Sequence, residues 1–177
     1  MKRVLPLIAL LLLAWNASGQ NFDLPCDDFD YKESVRTVLL YADGNQTKDP
    51  MIPLGNPQQR LTLSFDLLGT EGEVLNYTFI HCTNDWFPTE IQRQNYATGF
   101  DYGRIDNFVF SRNTLVDYVH YHLAFPEAEM MPTVSGNYLL IVYGDDLREE
   151  NLYFTRRFMV YDEKAISRSE ERFSRNA

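Results

Sequence analysis

The chain has 177 residues, 16 basic against 25 acidic, and a formal net charge of −9. A surface of that sign repels phosphate backbones and anionic headgroups, which sets aside nucleic acid as a partner. The acidic residues are spread along the chain rather than run together, so the charge reads mainly as solubility.

Residues 1–19 read as a secretory signal peptide. Lys2 and Arg3 form a basic start, Val4 to Trp15 is apolar apart from Pro6, and "NASGQ" supplies small residues at a cleavage point near Gly19–Gln20. The run is too short for a transmembrane anchor. Cys26 lies too far downstream for lipid attachment. The remaining chain of about 157 residues is enough for one domain with a real core. Without Lys2 and Arg3, 14 basic residues face 25 acidic ones, a net charge of −11.

Residues 20–34 are polar and acidic with little period, an extended lead-in. Strand signals then dominate. "VRTVLLY" (35–41) ends at the turn "ADGN". "LTLSFDL" alternates, with Leu61, Leu63, Phe65 and Leu67 on one face. "GTEGE" reads as a tight turn, with "VLNYTFIHC" (74–82) as the hairpin partner. Residues 83–103 have no clean period and hold Pro88, Gly99 and Gly103, a long loop of the functional or crossover kind. "IDNFVFS" (105–111), "DYVHYHLAF" (117–125), "NYLLIVY" (137–143) and "LYFTRRFMVY" (152–161) complete seven strands. The pattern predicts an all-β fold, an immunoglobulin-like antiparallel β-sandwich of about seven strands over residues 35–163. Tyr138 stands where a tyrosine corner belongs; the alternative is an edge-packed aromatic. Residues 164–177 read as a linker or disordered tail.

Several side-chain groups offer chemistry. His120 and His122 are two apart on a strand and share a face, so His81 could complete a zinc site if its strand were adjacent. His81 and Cys82 point to opposite faces and cannot act as a nucleophile pair. Cys82 shares a face with Thr78 and Ile80 that is expected to be core. Cys26 and Cys82 leave two outcomes open. One is a disulfide closing a loop of about 57 residues, worth on the order of 4 kcal/mol in the chain-entropy model. The other is a buried Cys82 and a free Cys26. The carboxylates of "GDDLREEN" suit a solvated turn, or a calcium ion. Most of the 25 aromatics fall in strands. Trp86, Phe87, Tyr96, Phe100 and Tyr102 fall between them, and either form a recognition surface or fold back to cap the sandwich. As a recognition surface they would bind a protein, with Trp86, Phe87 and Tyr102 as anchors. Alternatively they would stack on a carbohydrate, with Asn84, Asp85 and Asn95 as hydrogen-bond partners. No cofactor motif is present in the sequence.

The blocks "VRTVLLYADGN", "IPLGNPQQRLTLSFDLLG", "YTFIHCTNDWFPTEIQRQNYATGFDYGRIDNFVFSRNT", "YVHYHLAFP", "SGNYLLIVY" and "RRFMVYDE" stand in the order found in one family. In these the chain resembles the N-terminal domain of the plug protein of the bacterial type IX secretion system. "FIHCTNDW" and "GFDYGRIDNFVFSRNT" carry the likeness most specifically. The resemblance implies a periplasmic, non-enzymatic protein of the Bacteroidota whose partner is the outer-membrane translocon barrel, and whose role is to seal that channel when no cargo passes. It supplies no catalytic residues. Family members run on with further β-structure, whereas this chain stops at Ala177, so a fragment or truncated product of a longer protein is expected.

Overall fold

The computed structural model describes residues 24–69 and 71–163. The expected signal peptide and the expected tail lie outside the described residues. Ten strands form two sheets: β1 (Phe29–Asp30), β2 (Val35–Ala42), β3 (Met51–Pro53), β4 (Leu61–Leu68), β5 (Leu75–Cys82), β6 (Gly103–Ile105), β7 (Phe108–Phe110), β8 (Tyr118–Phe125), β9 (Gly136–Tyr143) and β10 (Leu152–Tyr161). One sheet runs β1-β10-β9-β5-β6, with β3 also on β10; the other runs β2-β4-β8-β7. All pairings are antiparallel except the short β3–β10 ladder.

The core follows from strand alternation. From the smaller sheet, Leu61, Leu63, Phe65 and Leu67 point inward beside Val119, Tyr121, Leu123 and Phe125. They meet Leu75, Tyr77 and Phe79 of β5, Tyr138, Leu140 and Val142 of β9, and Phe154, Phe158 and Val160 of β10. Phe65 and Tyr121 are directly paired across β4 and β8, and their rings stack at 4.8 Å. Tyr138 anchors its end of the sandwich as a tyrosine corner. Its hydroxyl donates to the Val134 carbonyl at 2.7 Å, four residues upstream.

Three expectations change. "GTEGE" is not a hairpin turn. β4 pairs only with β2 and β8, whereas β5 pairs with β9 and β6, so the segment crosses between sheets. Leu61–Leu67 and Leu75–Phe79 bury their apolar faces against each other. Side-by-side pairing would send both toward the same side of one sheet. The expected strand 105–111 is two strands. β6 closes the edge of the larger sheet and β7 that of the smaller, with Asp106 and Asn107 making the switch.

The third change concerns the lead-in, which belongs to the sandwich. Residues 24–31 form a strap that starts on the outer face of the larger sheet at Leu24 and Cys26 and ends in β1, paired to β10 at the sheet edge. Leu24 and Cys26 bury against Cys82, Leu139, Ile141, Tyr143 and Leu152. The strap explains why "NYLLIVY" is apolar on both faces: one face meets the core and the other is covered. It also relocates Cys82, whose face is the strapped outer face rather than the inter-sheet core. Thr155 Oγ1 donates to the Asp27 carbonyl at 2.6 Å, and the Arg157 amide donates to Asp28 Oδ1 at 2.6 Å.

Candidate functional site

Residues 83–102 follow the β5 edge of the larger sheet as an ordered loop. The turn after Cys82 is tight. The Trp86 amide donates to the Thr83 carbonyl at 3.0 Å, and the Thr83 amide donates to the Phe87 carbonyl at 2.7 Å. Trp86 takes a positive φ of 61° to fit it. Downstream, Arg93 clamps the loop to the sheet. Its guanidinium donates to the Phe79 carbonyl at 3.1 Å and the Phe100 carbonyl at 2.7 Å, and pairs with Asp101 at 3.2 Å. The short helix α1 (Arg93–Tyr96) turns the chain inward.

Gly99 is required where the loop meets residues 129–131. Its φ is +77°, and a Cβ there would lie 1.7 Å from the Glu129 carbonyl oxygen. That close approach lets the Phe100 amide donate to Glu129 and the Thr98 amide to Met131, both at 2.9 Å.

The five loop aromatics divide into three kinds. Tyr96 is 6% exposed, packed beside His81 and Tyr138. It is a core residue rather than one of the exposed partner-binding aromatics expected, because α1 drives its ring into the end of the sandwich. Phe87, Phe100 and Tyr102 are 67%, 65% and 54% exposed. Trp86 is half-buried on the strap cluster, with the Arg157 guanidinium 4.4 Å from its ring centroid. Trp86 and Phe87 attach beside position 82 of β5, and Tyr102 beside position 77. Those positions are five residues apart, about 17 Å at the rise of a strand. The exposed aromatics therefore mark the two ends of a ridge rather than one cluster.

Shallow clefts flank the ridge. One of about 510 Å³ includes Tyr102, Arg104, Tyr143 and Asp145. Another of about 420 Å³ includes Phe100, Tyr102, Glu127 and Glu129. A third of about 350 Å³ lies between the strap and the turn, lined by Cys26, Asp27, Trp86, Phe87 and Arg157. Of the polar residues weighed for a sugar, Asn84 and Asp85 sit in the Thr83–Trp86 turn and Asn95 on α1.

The histidine triad does not form. His81 lies on the larger sheet, facing Tyr96 and Tyr138 on the inner side. His120 and His122 point outward from the smaller sheet, and His120 Nδ1 is 2.7 Å from Asp66 Oδ1. Strand order separates them, since β5 and β8 belong to different sheets. Burial lowers the His81 pKa, and Nδ1 lies 3.1 Å from Thr89 Oγ1. Of the "GDDLREEN" carboxylates, Asp146 and Glu150 pair with Arg148, at 2.8 Å and 3.8 Å. Among the described residues no group of three His, Cys, Asp or Glu side chains could hold a metal ion.

The cysteines that sequence left open are brought together. Cys26 and Cys82 are both buried, with their sulfurs 3.0 Å apart. Two features escaped the sequence reading. Arg157 ties strap to loop, yet in sequence it is one of two adjacent arginines on a strand. Val109, Phe110, Leu115 and Val116 are exposed beside the β7 edge. The unbroken apolar triplet in "NFVFS" was the available signal for an edge strand with one face uncovered.

Residues 35–162 match the family model described as type 9 secretion system plug protein, first domain. The chain belongs to that family. Among solved structures, this plug first domain is similar to a hypothetical protein from Parabacteroides merdae, with 29% sequence identity and a TM-score of 0.70. The match covers 76% of this chain and 34% of that one, so the chain spans about a third of its relative's length. No curated protein matches it. The plug family is a secretion family and not a known enzyme family. No helix among the described residues is long and apolar enough to cross a membrane.

Proposed function

We infer that the chain is a non-enzymatic periplasmic protein that associates with the outer-membrane translocon of type IX secretion and occludes its channel. The observation that carries this reading is membership of the plug first-domain family across residues 35–162. The geometry supports it with a rigid sandwich edge bearing Phe87, Phe100 and Tyr102 exposed on a clamped loop. A loop clamped this way has little backbone freedom to lose on binding, which lowers the ordering cost of an interface built on these aromatics. The mechanism is steric: a preformed domain sits in an opening and leaves when cargo displaces it.

Trp86 supports the strap, so its removal would confuse folding with binding. The informative variant is Phe87→Ser/Phe100→Ser/Tyr102→Ser. Affinity capture from detergent-solubilised outer membranes should recover the translocon barrel with the wild-type chain, and about tenfold less with the variant. Equal recovery with both, at equal thermal stability, would remove the ridge from the interface. Saturable binding to a defined glycan would favour the carbohydrate reading instead.

A further inference from the structure

We propose that Cys26 and Cys82 are a disulfide site, and that the bond staples the N-terminal strap to the start of the recognition loop. The placement of the two sulfurs is the same whatever the loop binds.

Cys82 is the last residue of β5, directly before the Thr83–Trp86 turn. Cys26 is the buried centre of the strap. Their sulfurs lie 3.0 Å apart across 56 positions of sequence. The sulfurs need to close by only about 1 Å to reach bonding distance, because a strap that bonds to β10 through Thr155 and Arg157 already holds Cys26 over Cys82. Arg157 fixes the sulfur-bearing residue most directly. Its Nε donates to the Cys26 carbonyl at 2.6 Å while the guanidinium covers the Trp86 ring. One covalent bond would therefore fix both the strap and the turn that carries Trp86 and Phe87.

The two sulfurs are not equivalent. Cys26 lines the cleft between strap and turn, which opens to solvent beside Phe87 and Asp27, and Cys82 does not line it. The Cys26 thiol is lowered from its ordinary value, first by hydrogen bonding from Cys82 and also by the positive charge of Arg157. The Cys82 thiol is raised, by its bond to Cys26 and by burial. Cys26 is thus the sulfur that ionises and meets an oxidant. The oxidant is a disulfide, carried by an exchange enzyme or a small molecule. The Cys26 thiolate attacks it, forming a mixed disulfide and expelling one thiolate. Cys82 then loses its proton and attacks Cys26 Sγ, forming the internal bond and expelling the second thiolate. Two thiols lose two electrons and two protons, and the oxidant's disulfide becomes two thiols.

The experiment incubates the purified chain with oxidised glutathione, denatures it and alkylates free thiols. No alkylation and a Cys26–Cys82-linked peptide by mass spectrometry are expected. The melting temperature should rise by on the order of 10 °C over the chain kept in reductant. The Cys26→Ser/Cys82→Ser variant should melt near the reduced wild type and ignore the oxidant. Two alkylatable thiols after oxidation, persistent glutathione adducts, or links only between chains would overturn the site. An internal link that leaves amide exchange over residues 26–31 as fast as in the reduced chain would overturn the staple.

Discussion

Replacing Arg157 with Met isolates the contact between strap and loop. Methionine keeps much of the apolar stem and removes the guanidinium. Three interactions go with it. The bond from Nε to the Cys26 carbonyl, at 2.6 Å and partly buried, contributes about 1 kcal/mol. The cation–π contact with Trp86, at 4.4 Å, adds about 0.5–1 kcal/mol. The ion pair with Asp27 at 2.8 Å joins side chains 35% and 65% exposed, so it adds only a few tenths. The total is about 2 kcal/mol, directed at the strap and turn rather than the core, since the partners that the Arg157 side chain holds are Cys26, Asp27 and Trp86. Amide exchange reads it out. The Tyr31 amide, which donates to the Tyr153 carbonyl at 2.9 Å, should exchange roughly 30-fold faster in Arg157→Met under reducing conditions. Amides of β4 and β8 should change little. Trp86 is the one tryptophan after residue 20, so its emission should shift as its packing loosens. Unchanged Tyr31 exchange would refute the tie between strap and loop. Equal acceleration across all strands would show that Arg157 acts on the whole sandwich.

Tyr138→Phe removes the corner hydroxyl but keeps the ring that stacks at 5.3 Å on Phe158. It should cost about 1–2 kcal/mol in urea unfolding with an unchanged m-value, whereas a cost under about 0.5 kcal/mol would deny the corner its role. Gly99→Ala places a Cβ against the Glu129 carbonyl at a positive φ. It should accelerate proteolysis within residues 83–103 while the strands stay protected, and an unaltered cleavage pattern would contradict the docking. His81 has a folded pKa below its ordinary value of about 6.5, because burial penalises its charged form. The unfolded chain then binds the extra proton, so the stability His81 provides is complete above pH 6.5 and is lost as pH falls below it. Melting temperature should fall more steeply between pH 6.5 and 5.5 for wild type than for His81→Gln. Parallel slopes would contradict the assignment.

Strand alternation made the core legible in the sequence. The inward sets of β4 and β8 are the ones that alternation selects, and Tyr138 caps its strand as its place after Gly136 predicts. Connections were less legible. Whether "GTEGE" joins partners or crosses between sheets depends on which faces meet across the sandwich, and no residue in the turn encodes that. The same gap undid the histidine triad. His81, His120 and His122 have sound spacing, but convergence needed β5 beside β8. The lead-in was unreadable for another reason. Short polar segments lack a period, and this one is held by bonds to Thr155 and Arg157, more than a hundred positions away. For the loop, one pattern of aromatics hides two burial states: Tyr96 folds back to cap the core, and Phe87, Phe100 and Tyr102 stay exposed.

Occlusion is the central proposal, and channel conductance tests it most directly. The translocon barrel, reconstituted in a planar bilayer, is recorded before and after the chain is added to the periplasmic side. The account predicts that the wild-type chain lowers open-channel current in a dose-dependent way. The Phe87→Ser/Phe100→Ser/Tyr102→Ser variant should need at least about tenfold more protein for the same block. Current that stays unchanged at saturating wild-type chain would contradict it.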